Sequence, residues 1–367
     1  MNLKLLFNIK SSNLYLYLYF VTNARNLNKN GVLFPGLRKS YIVFLFILFL
    51  EEKSFCQDFH LSQYEEAPLN LNPALTGAYN GTSRIHSHYR SQWNAIANNP
   101  FVTALISGEQ RLKKISLGAQ VANQRAGTGN YNVLGLQISA SCDKEIDNKK
   151  NHRIAIGLQT GFAYKSVNIN ALTFESQYTS YNGGGFDNTL QNGESNLNNS
   201  VFIPDLNAGL LYYYAKSKSR FNPFIGFTGF HLTSPKESFF SESNRLPIRF
   251  LVHGGCKVNV SDKIQLVPKF LLMQQVNDRE IAGGLDLNYY LPNTTTFVIL
   301  GSSYRNKDAI ICFAGLKYGR VTYKVSYDIN NSSLQPATGG RGGFEISFTL
   351  IGSRYKPTPI PNCPRPI

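Results

Sequence analysis

From Ser83 onward, apolar and polar residues alternate along the chain in segments of about ten residues. In His152–Tyr164, large apolar residues occupy every second position, and small or polar residues stand between them. Successive side chains of a β-strand point to opposite faces, so this period of two predicts a strand with one apolar face and one polar face. The pattern recurs in Val321–Asn330 and in Gly343–Leu350.

Fourteen such segments are separated by turn signals, and an even number of strands returns both ends of a barrel to the same side. The two longest insertions, Thr173–Pro204 and Thr233–Pro247, are expected on one side as extracellular loops. The predicted strands are 83–93, 101–112, 114–124, 130–142, 152–165, 206–216, 222–231, 248–260, 263–275, 280–291, 295–305, 308–318, 321–329 and 342–351.

Alternation alone fits a soluble β-sandwich as well as a membrane barrel. The predicted segments are longer than the five or six residues usual in soluble strands, and they match the roughly 9–11 residues of a tilted membrane strand. Tyr and Phe gather toward the segment ends, where aromatic girdles form. The sequence therefore predicts an all-β fold, a transmembrane antiparallel β-barrel of about 14 strands over residues 83–351, preceded by a short periplasmic segment at residues 57–82.

The apolar run Tyr41–Leu50 is too short for a membrane-spanning helix, which needs about 20 residues. A basic flank precedes it and small residues follow, so we predict a signal peptide that is cleaved before Gln57. Residues 1–37 do not fit an ordinary signal peptide, and we expect translation to begin later than Met1, near Val32 or Leu33. The proline-rich residues 352–367 predict an extended periplasmic tail.

Composition excludes several classes of function. Charged residues make up 16% of the chain against about 25% in an average soluble domain. The net charge of +15 is partly due to the first 56 residues, and the basic residues are scattered rather than clustered, which argues against nucleic-acid binding. The cysteines form no C-x-x-C pair, so neither a zinc site nor a dense disulfide framework is indicated.

Candidate catalytic and metal-binding residues are sparse. His86 and His88 share one strand face and could form half a metal site, but no acidic or Cys companion lies nearby in the sequence, so a structural role is favoured. No G-x-S-x-G nucleophile motif is present. We therefore predict no enzyme, no cofactor and no metal. Four charged residues on polar strand faces are expected to form ion pairs in the lumen: Asp286, Lys324, Asp328 and Glu345.

The stretch before the first strand is rich in turn signals, since a residue before proline disfavours helix and Gly77 permits a positive φ. Its ordered motifs, together with the closing Gly342–Ser347 and the Cys363-Pro364 tail, resemble the PorP/SprF-like family over residues 57–367. Phe59 departs from that pattern, because the family usually has a proline there. The residues that carry the resemblance are Gln57, Asp58, Ser62, Gln63, Tyr64, Leu71, Asn72, Pro73, Ala74, Gly77, Tyr89, Arg90, Gln92 and Trp93.

The resemblance implies an outer-membrane protein of the type IX secretion system. Its expected partners are components of that system, outer-membrane lipid and a cargo protein, such as an adhesin of gliding motility, with a C-terminal sorting domain. The loops around Tyr181 and Ser238 are expected to face the cargo. The alternative function is an outer-membrane channel or a barrel for ligand uptake, similar to fatty-acid transporters. Leu69–Gly77 either folds into the barrel mouth or meets a periplasmic partner.

Overall fold

A computed structural model describes residues 59–352, except 98, 113, 128, 150, 182–183, 194–198, 217–218, 240–243 and 293. The barrel strands are β1 (Ser83–Gln92), β2 (Phe101–Arg111), β3 (Ile115–Ala126), β4 (Tyr131–Glu145), β5 (His152–Ser166), β8 (Ser200–Tyr214), β9 (Phe221–Phe230), β10 (Arg249–Asn259), β11 (Ile264–Gln275), β12 (Asp278–Tyr290), β13 (Thr296–Arg305), β14 (Ala309–Tyr318), β15 (Val321–Asn330) and β16 (Arg341–Gly352), while β6 (Tyr178–Thr179) and β7 (Gly185–Phe186) form a separate hairpin. The α-helices described are α1 (Pro68–Leu71) and α2 (Gln335–Thr338), and none of the helices in this part of the chain is long and apolar enough to cross a membrane.

The fourteen long strands form a closed antiparallel barrel, which confirms the predicted architecture and strand number. Each barrel strand pairs with its neighbours in sequence, and β5 pairs with β8 because the β6–β7 hairpin lies outside the barrel sheet. β1 closes the barrel by pairing with β16 from Ser83↔Gly352 to Gln92↔Gly343.

The alternation of residue types separates the two faces of the wall. On β5, Ile156 and Leu158 point outward and are each 59% exposed, whereas Ala155 and Gln159 on either side of them are buried at 1%. The buried positions include many charged and polar side chains, so the barrel has an apolar outer surface and a polar interior. This is the arrangement expected of a barrel that faces lipid.

The two ends of the barrel differ. The longest connections, 167–199 and 231–248, meet at one end, which we call the loop end. β1 starts and β16 finishes at the opposite end, which we call the turn end because its connections, such as 260–263 and 319–320, are short. The two long insertions therefore lie on the same side, as the strand count predicts.

Some boundaries differ from the sequence-based prediction. β1 ends at Gln92 because Trp93 adopts φ +64°, which is incompatible with an extended strand. β8 begins at Ser200 rather than near Leu206, so the preceding insertion ends earlier than expected. Pro204 concealed this start, since proline rarely occurs inside a sheet, yet here it pairs with Phe162.

Several predictions concern residues outside those described. The signal peptide, the upstream extension, the motif residues Gln57 and Asp58, and residues 353–367 of the predicted tail with Cys363 are among them.

Candidate functional site

Residues 59–79 lie inside the barrel, and we call them the luminal segment. They were expected as a periplasmic segment, with Leu69–Gly77 either in the barrel mouth or on a partner; instead the lumen holds them. Three short helical turns fold this segment: Tyr64–Glu66, α1 and Pro73–Leu75. Asn72 has an extended backbone and separates α1 from the turn Pro73–Leu75. Its side chain caps that turn by accepting a hydrogen bond from the Ala74 N–H at 2.8 Å.

Glycines on the inner wall leave the space that the luminal segment fills. Gly157 and Gly209 stand opposite each other in the β5–β8 pairing. A Cβ atom on Gly157 would lie 2.3 Å from the backbone nitrogen of Ala74, and one on Gly209 would lie 1.9 Å from Oδ1 of Asn72. Real Cβ atoms do not approach other atoms so closely, so glycine at these positions is a packing requirement.

Asn72 is the polar anchor in the middle of the segment and is fully buried. Its side-chain nitrogen donates to the Leu210 carbonyl at 3.1 Å and lies 3.2 Å from Nε2 of His253. The neighbouring backbone is satisfied in the same way: Gln159 donates to the Leu69 carbonyl at 3.0 Å, and Thr228 donates to the Leu71 carbonyl at 3.2 Å. The wall side chains thus replace the water that an irregular backbone otherwise needs.

Toward the loop end, the Glu345 carboxylate receives two consecutive backbone donors. The N–H groups of Ser62 and Gln63 lie 2.6 and 2.8 Å from its oxygens. Glu345 also forms an ion pair with Arg90 and lies 3.0 Å from Nε2 of His88. All of these groups are buried, and charge-assisted bonds to a buried carboxylate are among the stronger hydrogen bonds in proteins.

Asp328 extends this cluster. Its Oδ2 accepts from the Ser62 hydroxyl at 2.7 Å and forms ion pairs with Arg90 at 3.1 Å and Arg305 at 3.2 Å. Two arginines therefore balance the carboxylates of Asp328 and Glu345, and Ser62 connects them to the luminal segment.

Two lysines hold the next residues of the segment. Lys324 lies 2.6 Å from Glu66, and Lys269 lies 2.7 Å from Glu65 and 2.6 Å from Asp286. Burial raises the pKa of Glu66, but the Lys324 ammonium, His86 and the Thr349 hydroxyl together lower it to about 2. Glu66 is therefore ionised at neutral pH and binds the segment electrostatically to β15.

Toward the turn end, Glu109 accepts from the Gly77 N–H at 2.9 Å and pairs with Arg84 at 2.8 Å. Gly77 has φ +76°, the conformation that its turn requires and that glycine adopts without strain. The guanidinium of Arg84 lies 4.6 Å from the centre of the Tyr79 ring. The luminal segment thus runs the length of the lumen, from Ser62 near the loop end to Tyr79 near the turn end.

The predicted motif residues separate into two groups. Ser62, Gln63, Leu71, Asn72, Pro73, Ala74, Gly77 and Arg90 are buried and come together at the contact between the luminal segment and the wall. Tyr64 and Gln92 are half-buried, Tyr89 points outward and is 43% exposed, and the Trp93 ring lies 4.8 Å from that of Phe101. The four predicted luminal charges are buried in ion pairs: Asp286, Lys324, Asp328 and Glu345.

Sequence reasoning missed Glu109, Lys269, Arg305 and Gly209 as partners of this segment. Each occupies an inward position of a strand, and the signal that could have found them is a charge or a glycine on the polar face. A cavity of about 170 Å³ remains beside the segment, lined in part by Tyr64, Lys269 and Lys324.

The chemistry of the site is ion pairing and hydrogen bonding. Nδ1 of His86 lies 2.7 Å from the Thr349 hydroxyl, and His88 contacts Glu345, so each histidine has a structural partner. Among residues 59–352 outside the gaps given above, no group of three His, Cys, Asp or Glu side chains is placed to hold a metal ion.

Comparison with solved structures gives barrels of low sequence identity. The toluene transporter TodX of Pseudomonas putida is 9% identical, with a TM-score of 0.44 over 80% of this chain and 93% of that one. The KdgM porin is 7% identical, with a TM-score of 0.35 over 73% and 98%. BamA from Haemophilus ducreyi lacking POTRA domains 1–3 is 8% identical, with a TM-score of 0.36 over 74% and 70%.

No curated protein matches the chain. The family model described as type IX secretion system membrane protein PorP/SprF matches residues 53–350, which include the luminal segment and nearly all of the barrel. The chain therefore belongs to the PorP/SprF family of type IX secretion system membrane proteins.

Proposed function

We propose that this protein is a non-enzymatic outer-membrane barrel that assists type IX secretion by exporting or anchoring a cargo protein, such as an adhesin with a C-terminal sorting domain. The observation that carries the proposal is the filled lumen. A diffusion channel needs a continuous aqueous path, whereas here buried ion pairs and hydrogen bonds hold the protein's own chain along the lumen. Family membership supplies the secretion context.

The alternative, an uptake channel, would require the luminal segment to leave. Its departure would remove contacts of Glu345, Lys324 and Gly209 together, since these residues touch it at separate places along the lumen. A rigid, filled barrel suits a docking platform better than a conduit.

The loop end offers the cargo-facing surface. In the β6–β7 hairpin, Tyr178 and Phe186 are each 54% exposed and their rings lie 5.5 Å apart, while Tyr181 at the tip is 80% exposed. Exposed aromatic side chains are enriched at protein interfaces, where they contribute much of the binding energy. Glu237 of the second long connection forms an ion pair with Lys165, which fixes that connection to β5.

The test is a pull-down of the native protein from outer membranes with and without Tyr181→Ala and Phe186→Ala. We expect the unaltered protein to recover a sorting-domain protein or a secretion component, and the double variant to recover at least five-fold less. Tyr318→Ala is the matched control, because Tyr318 is a 65% exposed aromatic residue at the turn end. Recovery of neither class of partner by the unaltered protein would refute the proposal.

A further inference from the structure

Polar residues form a continuous outward-facing row across four neighbouring strands at the loop end. Arg125 on β3 pairs with Asn132 on β4, Asn132 pairs with Ser166 on β5, and Ser166 pairs with Ser200 on β8. All four have the same parity as the exposed apolar residues of their strands, so their side chains point away from the lumen.

The next row toward the barrel middle is largely apolar. It contains Leu134, Tyr164 and Phe202, which are paired in register and 40%, 41% and 59% exposed. Asn123 continues this row on β3 and donates to Oδ1 of Asn132 at 2.8 Å. The outer surface therefore changes from largely apolar to polar within two residues along these strands, as a barrel wall does where acyl chains give way to headgroups.

The polar row lines an outward-facing notch of about 560 Å³. Among the described residues that line it, the cation is Arg125, whose Nε and Nη2 donate to Oδ1 of Asn130 at 3.2 and 2.6 Å. Asn130 has φ +49° in the β3–β4 turn, a conformation that asparagine tolerates better than most residues. The arginine is thus held over a surface of asparagine amides. The amide-bearing lining residues are Asn123, Asn130, Asn132, Asn168 and Asn199.

We propose that this notch binds the phosphorylated sugar headgroup of a membrane lipid in the leaflet on the loop side. The planar guanidinium of Arg125 suits a phosphate, because its donors match two phosphate oxygens. Asparagine amides both donate and accept, as sugar hydroxyls do. Tyr164 belongs to the apolar row and also lines the notch, which suits an amphipathic aromatic side chain at a membrane interface.

A lipid is the ligand rather than a soluble sugar because the notch opens directly above the apolar row of Leu134, Tyr164 and Phe202. A headgroup in the notch would leave its acyl chains against these side chains, which adds buried apolar area to the polar contacts. The inference rests on the loop end facing outward and is independent of any cargo.

Native mass spectrometry of the purified full-length protein in detergent tests the proposal. The probes are a bisphosphorylated diglucosamine lipid, its deacylated headgroup and phosphatidylglycerol. We expect the first to bind at least ten-fold more tightly than either of the others, and Arg125→Gln to weaken its binding at least ten-fold. Lys144→Gln is the matched control, since Lys144 faces outward on β4 at the turn end.

Asn132→Ala provides a second variant that keeps the charge, and we expect it to weaken binding of the sugar lipid about three-fold while leaving phosphatidylglycerol unchanged. Equal binding of the three probes, or equal losses in Arg125→Gln and Lys144→Gln, would overturn the proposal. Tight binding of the deacylated headgroup alone would overturn the assignment to a membrane lipid. None of these results depends on cargo recovery, so failure here is distinct from failure of the secretion role.

Discussion

Gly209 and Asn72 approach each other so closely that a Cβ atom on Gly209 would lie 1.9 Å from the Asn72 Oδ1. Asn72 cannot move aside easily, because it is fully buried and hydrogen-bonded to Leu210. The absence of a side chain at Gly209 of β8 is therefore a condition for the filled lumen.

We expect Gly209→Ala to displace the middle of the luminal segment while strand pairing is retained. Ala74 is 0% exposed, so a cysteine introduced there as Ala74→Cys reports on this displacement. In the Gly209→Ala variant, it should react with a small maleimide at least ten-fold faster than in the protein that keeps Gly209. Gly108→Ala is the control, since a Cβ atom there meets nothing within 4 Å. Equal labelling rates in the two variants would contradict the packing argument.

Glu345→Gln should be strongly destabilising. It leaves the buried Arg90 without one of its two carboxylates and weakens the bonds to the Ser62 and Gln63 N–H groups. Breaking a buried ion pair from one side costs about 3–5 kcal/mol. We expect a clear fall in the temperature at which the barrel unfolds, measured by its shift in electrophoretic mobility on heating. The same change at the exposed Glu175 should leave that temperature unaltered.

Acid should loosen the luminal segment. The folded-state pKa of Glu66 is lowered to about 2, so its pairing with Lys324 contributes stability that is complete above the ordinary glutamate pKa and is lost as pH falls toward about 2. Protease protection of the segment should decline over this window. In Glu66→Gln, the decline from pH 4.5 to 2 should be smaller, with lower protection already at pH 7. An identical pH profile in both proteins would exclude Glu66 from this role.

Deleting residues 57–78 should leave an assembled barrel that conducts ions. The same variant should handle cargo poorly. The barrel strands keep their hydrogen-bonded neighbours without the luminal segment, and water can solvate the luminal charges that the segment now covers. Planar-bilayer recordings should show stable open conductance in the deletion variant and none in the full chain. Full cargo display by the deletion variant would refute a role for the segment in secretion.

A disulfide that holds the luminal segment in place distinguishes a filled docking platform from an uptake channel. The Thr76 hydroxyl lies 2.9 Å from that of Ser139, so Thr76→Cys with Ser139→Cys should link the luminal segment to β4. If the barrel is a filled platform, the oxidised double variant should display cargo as well as its reduced form and each single variant. Loss of display on oxidation alone would mean that the segment has to move.

The sequence predicts the barrel better than its contents. A period of two fixes which residues of β5 or β15 face outward, because alternation is a local property of a strand. The luminal segment has no such period, and its partners are distant in sequence: Ser62 and Glu345 are 283 residues apart. Alternation identifies Glu345 as an inward charge, but only the closed barrel brings it to the Ser62 and Gln63 N–H groups.

The same limit applies to glycine. Gly157 is recognisable in the sequence as a small inward residue, which is compatible with an open pore or a filled one, whereas Gly209 was missed. The distinction depends on what lies against them, and that is settled by the three-dimensional path of Asn72–Ala74 rather than by the strands themselves.

The position of Glu345 on the last strand couples barrel closure to filling of the lumen. In the closed barrel, β16 pairs with β1 and carries the carboxylate that binds the Ser62 and Gln63 N–H groups of the chain before β1. We expect an unclosed sheet to leave the Ser62 and Gln63 N–H groups without this carboxylate and the edges of β1 and β16 unpaired. Closure of the barrel should satisfy both sets of groups together. We therefore expect the first residues of the luminal segment to dock after the barrel has closed.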